Sequence, residues 1–96
     1  MTFRRAAKTD ANQPEIVKHF RKLGWSVLII SQLKNCCDLI VAKNGKTFAI
    51  EVKDGSRIPS ERKLTKGEKK FLDGWHGEWR IIESIEQVNE LNEAIE

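Results

Sequence analysis

The sequence has no tyrosine, only two prolines, and two cysteines that stand side by side as Cys36 and Cys37. Neighbouring residues in a strand point to opposite faces and a bond between them is strained, so these thiols are not read as a structural staple. Zinc is no better served, because Cys36, Cys37, His19 and His76 lack the usual C-x2-C and H-x3-H spacing. Long apolar runs are missing as well. No segment approaches the roughly 18 residues of a membrane span, and Met1 to Asp10 is basic without the apolar stretch of about 7 to 15 residues that marks a secretion signal. The expected setting is reducing and cytoplasmic, with no membrane partner.

What is present is ordinary for a folded chain: 96 residues, 40% hydrophobic and 32% charged. Such a balance excludes a disordered tail or a collagen-like repeat. The length matches one domain of about 100 residues and leaves no room for a separate recognition module. The net charge of +3 conceals an uneven distribution. Residues 81 to 96 carry five Glu and no Lys or Arg, so the first 80 residues hold all 17 cations against nine acids, a net of +8. That body suits a polyanionic partner such as nucleic acid, although Lys-rich surfaces are also commonly just soluble surfaces.

Residues 1 to 11 read as a loose arm. Asn12 or Gln13 as cap, Pro14 in the first turn, apolar Ile16, Val17, Phe20 and Leu23, and Gly24 as the stop predict a first helix. Trp25 to Ser31 reads as a strand covered on both faces, because Leu28, Ile29 and Ile30 are consecutive. Two apolar runs then flank Asn44-Gly45, the strongest short-range hairpin signal. A two-residue turn fixes the register: Lys43 opposite Lys46, Val41 opposite Phe48, Leu39 opposite Ile50, Asp38 opposite Glu51. Residues 54 to 64 read as a loop. Thr65 with Glu68 and Ser84 with Gln87 are capping-box patterns that open two more helices, with a strand at Trp79 to Glu83 between them. The predicted order is helix, three strands, helix, strand, helix: an α/β fold with a mixed sheet flanked by helices.

That register places Asp38 and Glu51 directly across from each other, with Cβ atoms about 4.5 to 5.5 Å apart. Like charges so placed repel. Lys53 follows Glu51 by two residues and projects from the same face. Either these are strand-end charges paired with Lys53 or another cation, or the two carboxylates hold a hard divalent cation. Mg2+ favours carboxylate oxygens and keeps several waters, and the Val52 carbonyl is a further available oxygen. Such an ion makes a bound water a better nucleophile and offsets charge on a phosphodiester. Lys53 is then placed to orient the water or neutralise the phosphate.

Asp38, twelve intervening residues, then Glu51-Val52-Lys53 resembles the signature of the PD-(D/E)xK nuclease superfamily. Three segments in order extend the resemblance to small VRR-NUC and Holliday junction resolvase-like nucleases often found in phages: Asp10 to Val17, Glu51 to Gly55, and Pro59-Ser60 followed by Lys63-Leu64-Thr65. The sequence departs from that pattern in three ways. Cys37 replaces the usual Pro before the Asp, Lys34-Asn35 stand where relatives are often glycine-rich, and no Val-Arg-Arg triplet occurs.

The resemblance implies a restriction-endonuclease-like αβββαβ core followed by a C-terminal helix. It also implies a Mg2+- or Mn2+-dependent endonuclease whose metal is held by Asp38, Glu51, Val52 and, directly or through water, Glu15. An acid in a first helical turn is also explained by the helix dipole. Glu68 falls where relatives often carry a site Gln, and its capping role explains it equally well. Lys34, Arg57, Arg62, Lys63 and Lys66 are candidate contacts to the DNA backbone, which would position DNA without reading sequence. The expected substrate is therefore branched DNA such as Holliday junctions or flaps, cut by a homodimer. The alternatives are a nucleic-acid-binding module that kept the fold without catalysis, and an interaction adaptor with an incidental basic face.

Overall fold

A computed structural model describes residues 10–96. The expected loose arm at residues 1–11 lies almost wholly outside them. Helix α1 (Gln13–Lys22) leads into strands β1 (Ser26–Ile29), β2 (Leu39–Lys43) and β3 (Lys46–Val52). A short 3-10 turn (Pro59–Glu61), helix α2 (Lys66–Asp73), strand β4 (Glu78–Ile82) and helix α3 (Ile85–Ala94) follow. The strands form one mixed sheet in the order β1-β2-β3-β4, antiparallel except for the parallel β3–β4 pair. A parallel pair needs a long crossover, and the segment containing α2 provides it.

Alternation along the strands separates two faces. Leu39 and Val41 of β2, Phe48, Ile50 and Val52 of β3, and Ile82 of β4 point to one side. There they join Ile16, Val17 and Phe20 of α1 and Val88 and Leu91 of α3 in the core. Trp25 closes its edge, with its ring 5.2 Å from Phe20 at 71° and its indole N–H on Asn92 Oδ1 at 2.9 Å. Apolar side chains of this size each contribute roughly 1.5–3 kcal/mol when fully buried. The acidic last helix is thus part of the core.

The hairpin has the predicted register from Lys43↔Lys46 to Leu39↔Ile50. Asn44 (φ 54°) and Gly45 (φ 79°) both adopt the left-handed conformation that the two-residue turn demands. β1 corrects the sequence reading. It spans four residues, and Leu28 and Ile29 are 60% and 43% exposed where cover on both faces was expected. The reason is position: β1 is an edge strand, paired with β2 alone and packed against α1 on one side.

The helix starts also differ. Asn12 occupies the N-cap position of α1, but its side chain makes no cap hydrogen bond. Its Nδ2 instead donates to the carbonyls of Lys53 (3.0 Å) and Glu83 (3.2 Å), tying the helix start to the ends of β3 and β4. Thr65 and Glu68 form a full capping box. Ser84 accepts from the Gln87 amide, while the Gln87 side chain reaches one residue further back to the Glu83 N–H at 2.6 Å.

Gly45 has open space where a Cβ would sit, so Gly45→Ala tests conformation alone. The left-handed penalty predicts a loss of about 1–2 kcal/mol in chemical denaturation, with the fold unchanged.

Candidate active site

The core hairpin ends in a cluster of charge. β3 has odd-numbered neighbours on the face away from the main core, so Glu51 and Lys53 emerge together there, 2% and 7% exposed. Their partners come from elsewhere in the chain. Lys53 Nζ lies 3.7 Å from Glu51 Oε2 and 2.8 Å from Glu68 Oε1 of α2. Glu68 is held in turn by the capping box, with the Thr65 N–H donating to the same Oε1 at 2.8 Å.

Asp38 reaches the cluster by leaving the ladder. Beyond Leu39↔Ile50 the regular pairing stops: the Asp38 N–H donates to the Ile50 carbonyl at 3.0 Å, and its own carbonyl accepts from the Ile30 N–H at 2.9 Å. Its carboxylate then accepts from the Val52 N–H at 2.8 Å. Asp38 is therefore fixed by both neighbouring strands. The N–H and C=O of one extended residue point the same way, so the Val52 carbonyl shares that side. Gly55 shapes the exit from β3, since a Cβ there would stand 2.8 Å from the Glu83 carbonyl oxygen.

Burial and crowding bias the protonation states. Burial, then the neighbouring Asp38 charge and the hydrogen bond and charge of Glu68, push the Glu51 carboxyl up to about 10. Asp38 is also raised by burial, against the opposing Val52 N–H. Burial alone would lower Lys53, but the Glu68 hydrogen bond and charge outweigh it and hold the ammonium above its ordinary value. Glu68 is lowered: burial opposes this, while its bonds from Lys53 and the Thr65 amide prevail. Glu51 Oε1 is buried with no hydrogen-bond partner.

Two acids at the cluster stand outside the predicted metal set, Glu68 with a site role left open beside its capping role and Asp10 with none. Glu68 was legible as a cap, and only the packing of α2 shows that the same carboxylate holds Lys53. Asp10 stands within electrostatic reach of Lys53, Asp54 and Glu68 and is raised by burial. No spacing signal links it to residues more than 40 positions away. Glu15 is placed elsewhere. It is exposed on α1, because Gln13, Ile16, Val17 and Phe20 form the inward face, and it lines a cleft of about 450 Å3 with Asn12, Asp54, Arg62 and Glu83. No hydrogen bond or ion pair joins it to Asp38, Glu51 or Lys53.

The candidate DNA contacts divide in two. Arg62 is committed to Glu83 at 3.0 Å and to the Arg57 carbonyl at 2.7 Å, and Arg57 to Glu61 at 3.5 Å. Lys34, Lys63 and Lys66 are exposed, and among the described residues no carboxylate lies within ion-pair distance of them. Lys34 borders a cleft of about 200 Å3 that also contains Asp38 and Glu68. Cys36 and Cys37 are both free thiols.

Among the described residues no trio of His, Cys, Asp or Glu closes into a ready metal cage. The oxygens available to a hard cation are the Asp38 and Glu51 carboxylates and the Val52 carbonyl. Few protein ligands supplemented by waters are what Mg2+ usually takes. No helix among the described residues is long and apolar enough to cross a membrane.

Comparison with solved structures finds a match to a structure titled "VRR_NUC domain". The TM-score is 0.55 and the identity 24%, over 85% of this chain and 95% of that one. No protein-family model matches the chain, and no curated protein does. The chain thus has a VRR-NUC-like, nuclease-type fold, with the mixed sheet and helices expected from its sequence.

A raised Glu51 makes stability depend on pH. The folded state keeps a proton that the unfolded chain releases near 4.5, so its contribution is full below that pH and is lost as pH rises toward about 10. In chelator, Glu51→Gln removes this loss. Denaturation should show the variant more stable than the parent by about 1–3 kcal/mol at pH 8, with the gap closing at pH 4.5.

Proposed function

We propose that this chain, on a fold shared with a VRR_NUC domain, is a divalent-metal-dependent DNA endonuclease. The observation that carries the reading is the convergence of half-buried Asp38 with buried Glu51 and Lys53 at the end of the β2–β3 hairpin. A buried carboxylate beside a second one is costly unless something offsets the charge, and Lys53 divides its own between Glu51 and Glu68. The unpartnered Glu51 Oε1 supports the fit of a further cation.

Mg2+ or Mn2+ held by Asp38, Glu51 and the Val52 carbonyl would supply an acidified water and charge compensation for phosphodiester hydrolysis. The protein's own part is positional. The Val52 N–H orients the Asp38 carboxylate. Glu68 acts as a positioning residue, fixing the Lys53 ammonium at 2.8 Å while the helix cap fixes Glu68 itself. Lys53 is then the group that orients the attacking water or neutralises the scissile phosphate. Glu15 stands outside this donor set.

DNA as substrate is supported by the acid-free Lys34, Lys63 and Lys66, which suit phosphate contacts that carry no sequence information. Contacts to phosphate rather than to base edges leave shape as the basis of selectivity, hence branched DNA. Two cuts across a branch suit a two-fold dimer, and the exposed Leu28, Ile29 and Leu33 at and after the outer strand support a second copy there. Two free cysteines are consistent with a reducing, cytoplasmic setting.

The test uses labelled linear, flap and four-way DNA with Mn2+ or with chelator. Cleavage is expected only with metal, and faster on the branched substrates. Asp38→Asn, Glu51→Gln and Lys53→Met should each lower the rate by about 10²-fold or more, while Glu15→Gln stays close to the parent. Cutting that survives chelator or Glu51→Gln would remove the proposed centre, and equal rates on all three DNAs would remove the shape preference.

A further inference from the structure

Beside the carboxylate cluster, α2 carries aromatic surface and unpaired positive charge that hydrolysis itself does not use. Phe71 and Trp75 stack with centroids 5.5 Å apart and planes at 28°, so Trp75 occupies one face of the Phe71 ring. The half-buried Phe71 also lines a cleft of about 500 Å3 with Asn35, Lys66, Gly67 and Lys70. Asn35 borders the 200 Å3 cleft of Lys34, Asp38 and Glu68 as well, so the two clefts meet at that residue.

The meeting point is specially built. Asn35 adopts the left-handed conformation, with φ 54°, and a Cβ on Gly67 would overlap its side-chain oxygen. Any larger residue at position 67 would push the Asn35 side chain aside. The charges around it are selective too. Lys66 and Lys70 stand one turn apart on the cleft side, a like-charge spacing that costs a few tenths of a kcal/mol in an isolated helix. Among the described residues no carboxylate lies within ion-pair distance of Lys34, Lys66 or Lys70, whereas Lys69 is paired with Asp73 at 3.3 Å.

We propose that this cleft holds an unpaired strand of the DNA substrate: one base stacks on Phe71, Lys66 and Lys70 take the flanking phosphates, and Lys34 leads the strand toward Asp38. Its continuity with the Asp38 cleft gives the strand a direction, and in that respect it rests on the nuclease reading. Stacking suits such a role because every base has a π-face, so the cleft grips single strands of any sequence. Duplex DNA cannot use it, since its bases are already stacked on each other.

Fluorescence anisotropy in chelator tests this with labelled oligo-dT and a blunt duplex of equal length. Phe71→Leu should weaken oligo-dT binding roughly tenfold and leave the duplex unchanged. Phe71→Tyr should restore it, and the exposed pair Lys66→Gln/Lys70→Gln should reduce the salt slope by about one to two. Parental affinity in Phe71→Leu, an equal loss on duplex, or a Tyr variant no better than Leu would each overturn the proposal. Cleavage separates the two readings. A protein that cuts with Mn2+ but binds without regard to Phe71 keeps the nuclease and loses the cleft. One that binds oligo-dT through Phe71 yet cuts nothing does the reverse.

Discussion

Glu51 is a carboxylate buried beside another carboxylate, and the architecture around it can be understood as the means of holding it there. A buried, unpaired charge costs several kcal/mol, so such a group survives only if it is neutralised or compensated. Here the compensation is assembled from three groups: Lys53 just past the end of the same strand, Glu68 locking Lys53 from α2, and the Val52 amide satisfying Asp38 across the hairpin. Even so, one Glu51 oxygen has no partner, and burial with the neighbouring Asp38 and Glu68 pushes its carboxyl up to about 10. A site that satisfies three groups and leaves the fourth unmet is suited to a cation supplied from outside.

The two faces of the sheet divide stability from chemistry. One face carries Leu39, Val41, Phe48, Ile50 and Val52 against α1 and α3, and that packing fixes the hairpin whose open end bears the acids. On the other face Leu28 and Ile29 of edge strand β1 stay exposed, while α2 brings Glu68, Lys66 and Phe71 beside the site. A short helix with little core of its own thus supplies the carboxylate that holds Lys53. Asn12 ties α1 to the sheet by bonding the Lys53 and Glu83 carbonyls just past the ends of β3 and β4.

How much of this was legible in the sequence depends on how local the determining interaction is. Asn44-Gly45 sets a turn, a turn sets a register, and the register brings Asp38 toward Glu51 without knowledge of any other element. The last step was only approximate, because Asp38 leaves the ladder and bonds the Val52 amide with its side chain. Long-range convergence was less accessible. Glu68 satisfies its capping motif completely, so nothing local announces its second role, and Asp10 has no periodicity to betray it. The exposure of Leu28 escaped for a related reason: a run of apolar residues shows that a strand is apolar, while cover depends on how far the crossover helix extends.

The central claim is that Asp38 and Glu51 form a metal-binding pair, and it can be separated from catalysis and from DNA. Mn2+ titration of the DNA-free protein, followed by the paramagnetic enhancement of water relaxation, reads that binding directly. The account predicts a saturable site in the parent chain that is lost in both Asp38→Asn and Glu51→Gln and retained in Glu15→Gln. Equal Mn2+ binding by the parent and the Glu51→Gln variant would contradict it.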